Sequence, residues 1–256
     1  MSTVAALADR LRSGSPAFTA WCGMPEPAIA GLLAREAFDA VTLDMQHGAI
    51  DLAATIRAIP VIAGAGKPAI ARIPVGEFAT ASKLLDAGVS AVIAPMINTL
   101  DDARRFGGFM KFPPLGERSW GPLAAIALTR LPPGDYFAKA NGFSLSFAMI
   151  ETREALAIID DILVAPGIDG IFIGPSDLSI GLTKGASVDP MNPEVDRALD
   201  HALQRARAAG RIAAVFAHSG ERAGEFARKG YDLVALANDT ILLRAGAQAA
   251  LKAARG

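Results

Sequence analysis

The sequence predicts an α/β fold, a (β/α)8 TIM barrel with an additional N-terminal helix, and three observations carry that expectation. Short apolar runs rich in Ala, Val and Ile alternate eight times with segments of helical spacing, over 256 residues that suit a single barrel domain, 1–256. The runs are apolar throughout rather than alternating with polar residues, as expected of parallel strands covered on both faces. The runner-up, a doubly wound open sheet, calls for a Gly-rich phosphate turn after the first strand. Here that turn reads WCGMP, with one glycine.

Residues 5–11 form an opening helix, closed by Ser13-Gly14-Ser15-Pro16. A first strand at 17–21 leads to a helix at 27–35 begun by proline, whose fixed φ and missing N–H suit a first helical position. The second strand is 39–43, followed by a loop at 44–50 and a helix at 51–63. A third strand at 68–72 precedes a helix at 77–86 stopped by Gly88. The fourth strand is 91–94, and a helix opens at 101–106. Residues 112–135 hold eight prolines and glycines and read as one long irregular stretch, a length that within a compact domain usually signals function or disorder. The fifth strand, 145–150, is followed by a helix at 153–163, and the sixth, 170–173, by Gly-Pro-Ser-Asp and a short helix. A long helix at 193–209 is capped by Asn192; the seventh strand is 211–216, a helix 220–229, the eighth strand 232–236 and a last helix 239–254.

Composition narrows the function. Hydrophobic residues make up 52% and charged residues 20%, enough for a substantial core, and a net charge of −1 offers no footprint for nucleic acid or an anionic membrane. The one cysteine, Cys22, excludes an internal disulfide or a multi-cysteine metal site. The N-terminal segment lacks the apolar core of a signal peptide, and no run reaches the ~18 residues of a membrane span, so a cytoplasmic protein is expected.

In such barrels chemistry gathers where strands end. The exits present Trp21; Asp44 with Gln46 and His47; Arg72; Pro95 and Met96; Glu151; Asp177; Phe216 with His218; and Asn238. Glu151 and Asp177 leave successive parallel strands at the same rim, so their hard oxygens can share one cation, Mg²⁺ or Mn²⁺. Taken singly, either acid could be a helix cap. His47, on a tight loop before Gly48, suits acid–base chemistry, since imidazole titrates at ~6.5. Asp86 and Asp44 are both candidates to orient it. Arg72 can polarise a carbonyl or close a salt bridge at the barrel end. Free N–H groups at Gly174 to Leu178 offer a seat for a carboxylate or phosphate. No lysine stands at a strand exit, since Lys67 precedes a strand and Lys83 lies in a helix, which argues against a Schiff-base mechanism. Ser119, Ser176 and Ser219 lack a nucleophile's setting.

The motifs FDAVTLDMQHG, PAIARIP, KLLDAG, AVIAPM, PPLGERS, MIETREAL and GIDGIFIGPSDLS occur in that order. In them the chain resembles the HpcH/HpaI family of metal-dependent pyruvate aldolases, across residues 18–251. The resemblance implies a class II aldolase that makes or cleaves 4-hydroxy-2-oxo acids from an aldehyde and a pyruvate or hydroxypyruvate donor. It implies Mg²⁺, Mn²⁺ or Co²⁺ on Glu151 and Asp177. It places Arg72 at the keto oxygen, His47 in proton transfer paired with Asp86, and Asp44 and Gln46 behind them. The donor carboxylate falls on the backbone of Gly174, Ser176 and Asp177, and Trp21 and Phe216 shape the aldehyde pocket. Many relatives have Glu at Gln46 and Gln at Met149, changes that bear on the pH profile and on contacts near the cation. The family further implies a trimer-based homohexamer in which the last helix is exchanged between subunits. Related barrels acting on malyl-CoA- or citryl-CoA-like thioesters, and a non-catalytic 2-oxo-acid-binding barrel, are the alternatives.

Overall fold

The computed structural model describes residues 2–256. Eight strands, β1 (Ala17–Cys22), β2 (Ala40–Asp44), β3 (Ala69–Arg72), β4 (Ala91–Ala94), β5 (Leu145–Ile150), β6 (Gly170–Ile173), β7 (Ile212–Ala217) and β8 (Leu233–Asn238), pair in parallel with their sequence neighbours. β8 pairs with β1 and closes the barrel. The expected fold class is therefore the observed one, with strand limits within two residues of the sequence reading.

The helices are α1 (Thr3–Arg12), α2 (Pro27–Ala34), α3 (Leu52–Gly64), α4 (Phe78–Ala87), α5 (Leu100–Met110), α6 (Leu123–Thr129), α7 (Pro133–Phe143), α8 (Arg153–Ala157), α9 (Ile159–Val164), α10 (Pro175–Leu182), α11 (Pro193–Ala208), α12 (Gly220–Lys229) and α13 (Asp239–Arg255). Two expectations are corrected. The stretch 112–135 is not irregular throughout: α6 lies inside it and α7 begins at Pro133. Prolines read as breakers here start a helix instead, because a first-turn residue has no intrahelical N–H bond to lose. The helix expected at 153–163 is two, broken at Ile158, whose φ of −116° and ψ of 19° leave helical geometry. The second piece buries Ile159, Ile162 and Leu163, whereas the first buries Ala155 alone.

Burial divides into two clusters. Outward-facing strand residues such as Val41, Leu43, Val92 and Ile171 pack on the helices. Ile70, Ile93, Phe147 and Phe172 belong to the second cluster, together with Val4, Leu7, Ala8 and Leu11 of α1. These side chains put α1 across the end where the strands begin, at roughly 1.5–3 kcal/mol for each large apolar side chain buried. The opposite end, where strands finish, stays open. At its C-terminus α13 departs from an ordinary barrel helix: only Asp239 is buried, while Ile241, Leu243 and Leu251 are exposed. An apolar cleft of about 340 Å³ lies on the barrel flank between Phe18, Phe38, Ala223 and Leu236, and α13 contributes no residue to it. Among the described residues no helix is long and apolar enough to cross a membrane.

Candidate active site

A cavity of about 490 Å³ opens at the strand exits. Asp44, the last residue of β2, organises one side of it. Its carboxylate accepts hydrogen bonds from Arg72 Nε at 2.8 Å, Arg72 Nη2 at 2.6 Å and Trp21 Nε1 at 3.1 Å. It also accepts from the backbone N–H groups of Gln46 at 3.1 Å and His47 at 3.3 Å. Burial alone would push the Asp44 carboxyl up, but the hydrogen bonds and charge of Arg72, helped by Trp21, outweigh it and hold the carboxyl below its ordinary range. Arg72 is thus a fixed cation. Two of its nitrogens are bound in a planar fork, its guanidinium carbon lies 4.9 Å from the centre of the Trp21 ring, and Nη1 makes no hydrogen bond among the described residues. Trp21 continues into an aromatic wall, with Phe172 at 5.5 Å and Phe216 edge-on at 5.4 Å.

Of the two acids, Asp177 lines the cavity and Glu151 lies against Gly174, which also lines it. Glu151, just past β5, is 1% exposed. Its Oε1 accepts the backbone N–H of Met96 at 2.8 Å; its Oε2 is buried and has no partner. Met96 adopts a left-handed φ of 55°, an uncommon backbone for a side-chain-bearing residue, in giving up that N–H. Burial drives the Glu151 carboxyl up to about 7; the nearby Asp177 charge adds to this, and the Met96 bond and Arg72 oppose it. Gly174 makes room for the carboxylate: a Cβ there would lie 2.9 Å from Glu151 Oε2 and 2.7 Å from Met149 Cε. Gly174 also starts α10 without a side-chain cap, so the N–H groups of Ser176 and Asp177 in its first turn have no intrahelical acceptor. Asp177 lines the cavity.

This donor set suits a hard divalent cation. A buried carboxylate oxygen without a hydrogen-bond donor is costly unless something positive reaches it, and the charge of a second carboxylate, Asp177, is near enough to raise the Glu151 carboxyl. No group of three or more His, Cys, Asp or Glu among the described residues could hold a metal. A cation here would therefore take its remaining ligands from substrate and water, as ions at catalytic sites do.

His47 sits exposed on the loop after β2 and lines the cavity, and its ring makes no hydrogen bond among the described residues. Neither expected orienting acid reaches that ring. Asp44 takes the backbone N–H of His47, not the imidazole. Asp86 does not pair with His47 within the chain: it lies in the last turn of α4, which leads back to the start of β4, and its Oδ1 is held by Arg118 at 2.7 Å. Arg118 is itself buried over the Phe112 ring, with Nε and Nη1 unsatisfied. Gln46 Oε1 is buried without a partner, and Met149 gives the cavity an apolar lining at the end of β5. His218, exposed at the cavity mouth, contacts Ser176 Oγ at 3.2 Å and stands edge-on to Phe216; what burial its ring has lowers its pKa. Cys22 offers no nucleophile, since burial and then the Asp239 charge push its thiol up to about 12.

Asp239 was not among the expected site residues. It lines the cavity, is 4% exposed, and its Oδ2 accepts the backbone N–H groups of Gly23 at 2.9 Å and Met24 at 2.8 Å. In the sequence it is one more acid at a helix start; only its position one residue past a strand exit hinted otherwise.

Residues 18–245 match the model of the HpcH/HpaI aldolase/citrate lyase family. The chain is 40% identical over 242 residues to the hydroxypyruvate/pyruvate aldolase of Rhizorhabdus wittichii, across 94% of this chain and 95% of that one. It is 33% identical over 246 residues to the 4-hydroxy-2-oxo-heptane-1,7-dioate aldolase of Salmonella dublin, across 95% and 92%. An HpcH/HpaI aldolase/citrate lyase family protein from Burkholderia cenocepacia has the same structure with a TM-score of 0.88 at 28% identity, across 98% of this chain and all of that one. Shared sequence over nearly the whole length, on one closed barrel with acids at the ends of β5 and β6, leads to one conclusion: the chain belongs to the HpcH/HpaI aldolase/citrate lyase family.

Proposed function

We propose that this protein is a class II aldolase that cleaves and forms 4-hydroxy-2-oxo acids, with pyruvate or hydroxypyruvate as donor and an aldehyde as acceptor. The observation that carries the reading is the buried, unpartnered Oε2 of Glu151, facing the space that Gly174 leaves beside Asp177. Glu151 and Asp177 would hold the cation (Mg²⁺, Mn²⁺ or Co²⁺), which when bound would supply Lewis-acid polarisation of the donor carbonyl. The donor carboxylate rests on the free N–H groups of Ser176 and Asp177, where the positive end of the α10 dipole favours an anion. Arg72, already locked by Asp44, directs Nη1 at the keto oxygen. Its position costs no reorganisation as negative charge grows there. His47 takes the proton from the C4 hydroxyl during cleavage, through a water, and returns a proton during synthesis. Trp21, Phe172 and Phe216 form an apolar wall on which the aldehyde packs, and His218 and Ser176 offer polar atoms at its edge.

Among the described residues Arg72 is the one lysine or arginine lining the cavity, which favours a small 2-oxo acid over the phosphates of a CoA thioester. Pyruvate release from a 4-hydroxy-2-oxo acid, measured with and without a chelator, tests the reading; cleavage that survives complete metal removal refutes it. The assembly belongs to the same proposal. The exposed apolar residues of α13 and the apolar cleft beside Phe18 and Leu236 fit a helix exchanged between subunits of a homohexamer. The mass in solution decides that part.

A further inference from the structure

The first turn of α13 reaches the His47 loop through two backbone links. α13 already has its cap: Asn238 accepts the N–H of Ile241 at 2.9 Å. Asp239 is therefore free of that duty, and its Oδ2 instead takes two successive N–H groups of the loop after β1, from Gly23 and Met24. Gly23 in turn accepts the N–H of Ala49 through its carbonyl at 2.8 Å. The two loops touch so closely that a Cβ on Gly48 would lie 2.7 Å from Gly23 Cα and 2.3 Å from the Asp44 carbonyl oxygen. His47 lies between Asp44, which holds its backbone N–H, and this Gly48–Ala49 contact. With no side-chain partner on its ring, the imidazole has its place set by the loop alone.

We propose that Asp239 is a positioning residue: acting through Gly23 and Ala49, it fixes the loop that carries His47. A buried carboxylate is expensive unless each oxygen is satisfied: Oδ1 accepts the N–H of Thr240 at 2.9 Å, and Oδ2 is satisfied by the two N–H groups of that neighbouring loop. Without it, two N–H groups lose their acceptor and the Gly23 carbonyl loses its anchor. The inference rests on the aldolase reading for its catalytic consequence, though the mechanical link stands by itself.

The experiment compares Asp239→Ala and Asp239→Asn in the wild-type and His47→Ala backgrounds. It follows aldol cleavage with saturating Mn²⁺ and backbone hydrogen exchange at Ala49. Asp239→Ala should lower kcat roughly 100-fold, the scale of a misplaced catalytic group, with donor KM little changed. In the His47→Ala background the same change should cost less than about twofold, because residues acting through one another are not additive. Ala49 should exchange at least tenfold faster in the alanine variant. Asn, whose carbonyl can still accept from Gly23 and Met24, should restore most of both. Wild-type exchange at Ala49 in the alanine variant, or an equal loss of rate with and without His47, overturns the proposal. A wild type that does not cleave any 4-hydroxy-2-oxo acid refutes the aldolase reading instead, and hydrogen exchange then decides the loop link alone.

Discussion

Replacing Glu151 by Gln tests the centre of the site without changing its shape. In the metal-free protein the Glu151 carboxyl titrates at about 7, against 4.5 for an ordinary glutamate. Between those values the native state binds more protons than the unfolded chain, so stability falls as pH rises through this window and levels off above it. A shift of about 2.5 units corresponds to roughly 3 kcal/mol, or about 6–12 °C in Tm for a domain of this size. Gln keeps an oxygen for the Met96 N–H and carries no charge, so metal-free Glu151→Gln should be the more stable protein near pH 8 and match the wild type near pH 4. The same variant should lose cleavage and lose the rise in Tm that Mn²⁺ gives the wild type. Thermal unfolding in chelator, followed across pH for both proteins and then repeated with metal, reads all of this. A wild-type Tm that does not fall between about pH 5 and pH 8, or a Gln variant no more stable near pH 8, refutes the account of a buried, unpaired carboxylate. A Mn²⁺-induced rise that persists in the variant refutes the ligand assignment.

Gly174→Ala should fold normally, because φ −100° and ψ 95° suit any residue, yet its Cβ would crowd Glu151 Oε2; titration should show metal affinity reduced roughly 10–100-fold. Asp44→Asn leaves Arg72 buried without its counter-charge and should cost about 3–5 kcal/mol in denaturant unfolding at neutral pH, along with most of the activity. Because the folded Asp44 carboxyl lies below 3.8, that stabilisation is complete above 3.8 and is lost as pH falls through the folded value, so the two proteins should converge only in strong acid. Leu243→Glu, on the exposed face of α13, should reduce the mass seen by light scattering while far-UV circular dichroism stays unchanged.

The barrel was legible because its cause is repetitive: eight apolar runs, each followed by helical spacing, leave few alternatives. Residues 112–135 were harder, since a proline reads as a helix breaker or a helix starter according to what lies ahead of it, and Pro132 and Pro133 are starters. Trp21, Asp44, His47, Arg72, Asp177 and Phe216 could be gathered at one mouth because each stands at, or a few residues past, the exit of a strand. What the strand rule does not provide is who holds whom. Asp44 was a candidate partner for the His47 ring, but five donors converge on it and Arg72 takes both its oxygens. Asp86, near the end of a helix, lies by the same topology toward the other end of the barrel, with Arg118. Asp239 escaped notice because a carboxylate bonded to two main-chain N–H groups more than two hundred positions away leaves no local pattern.

With α1 set across the bottom, the reaction chamber has a single doorway. Arg72 and the aromatic side chains of Trp21, Phe172 and Phe216 line that one chamber. Donor and aldehyde, under the proposed aldol reaction, must therefore enter and leave by the same opening. Shared traffic, with either reactant in excess obstructing the other's passage, is what a room with one door imposes.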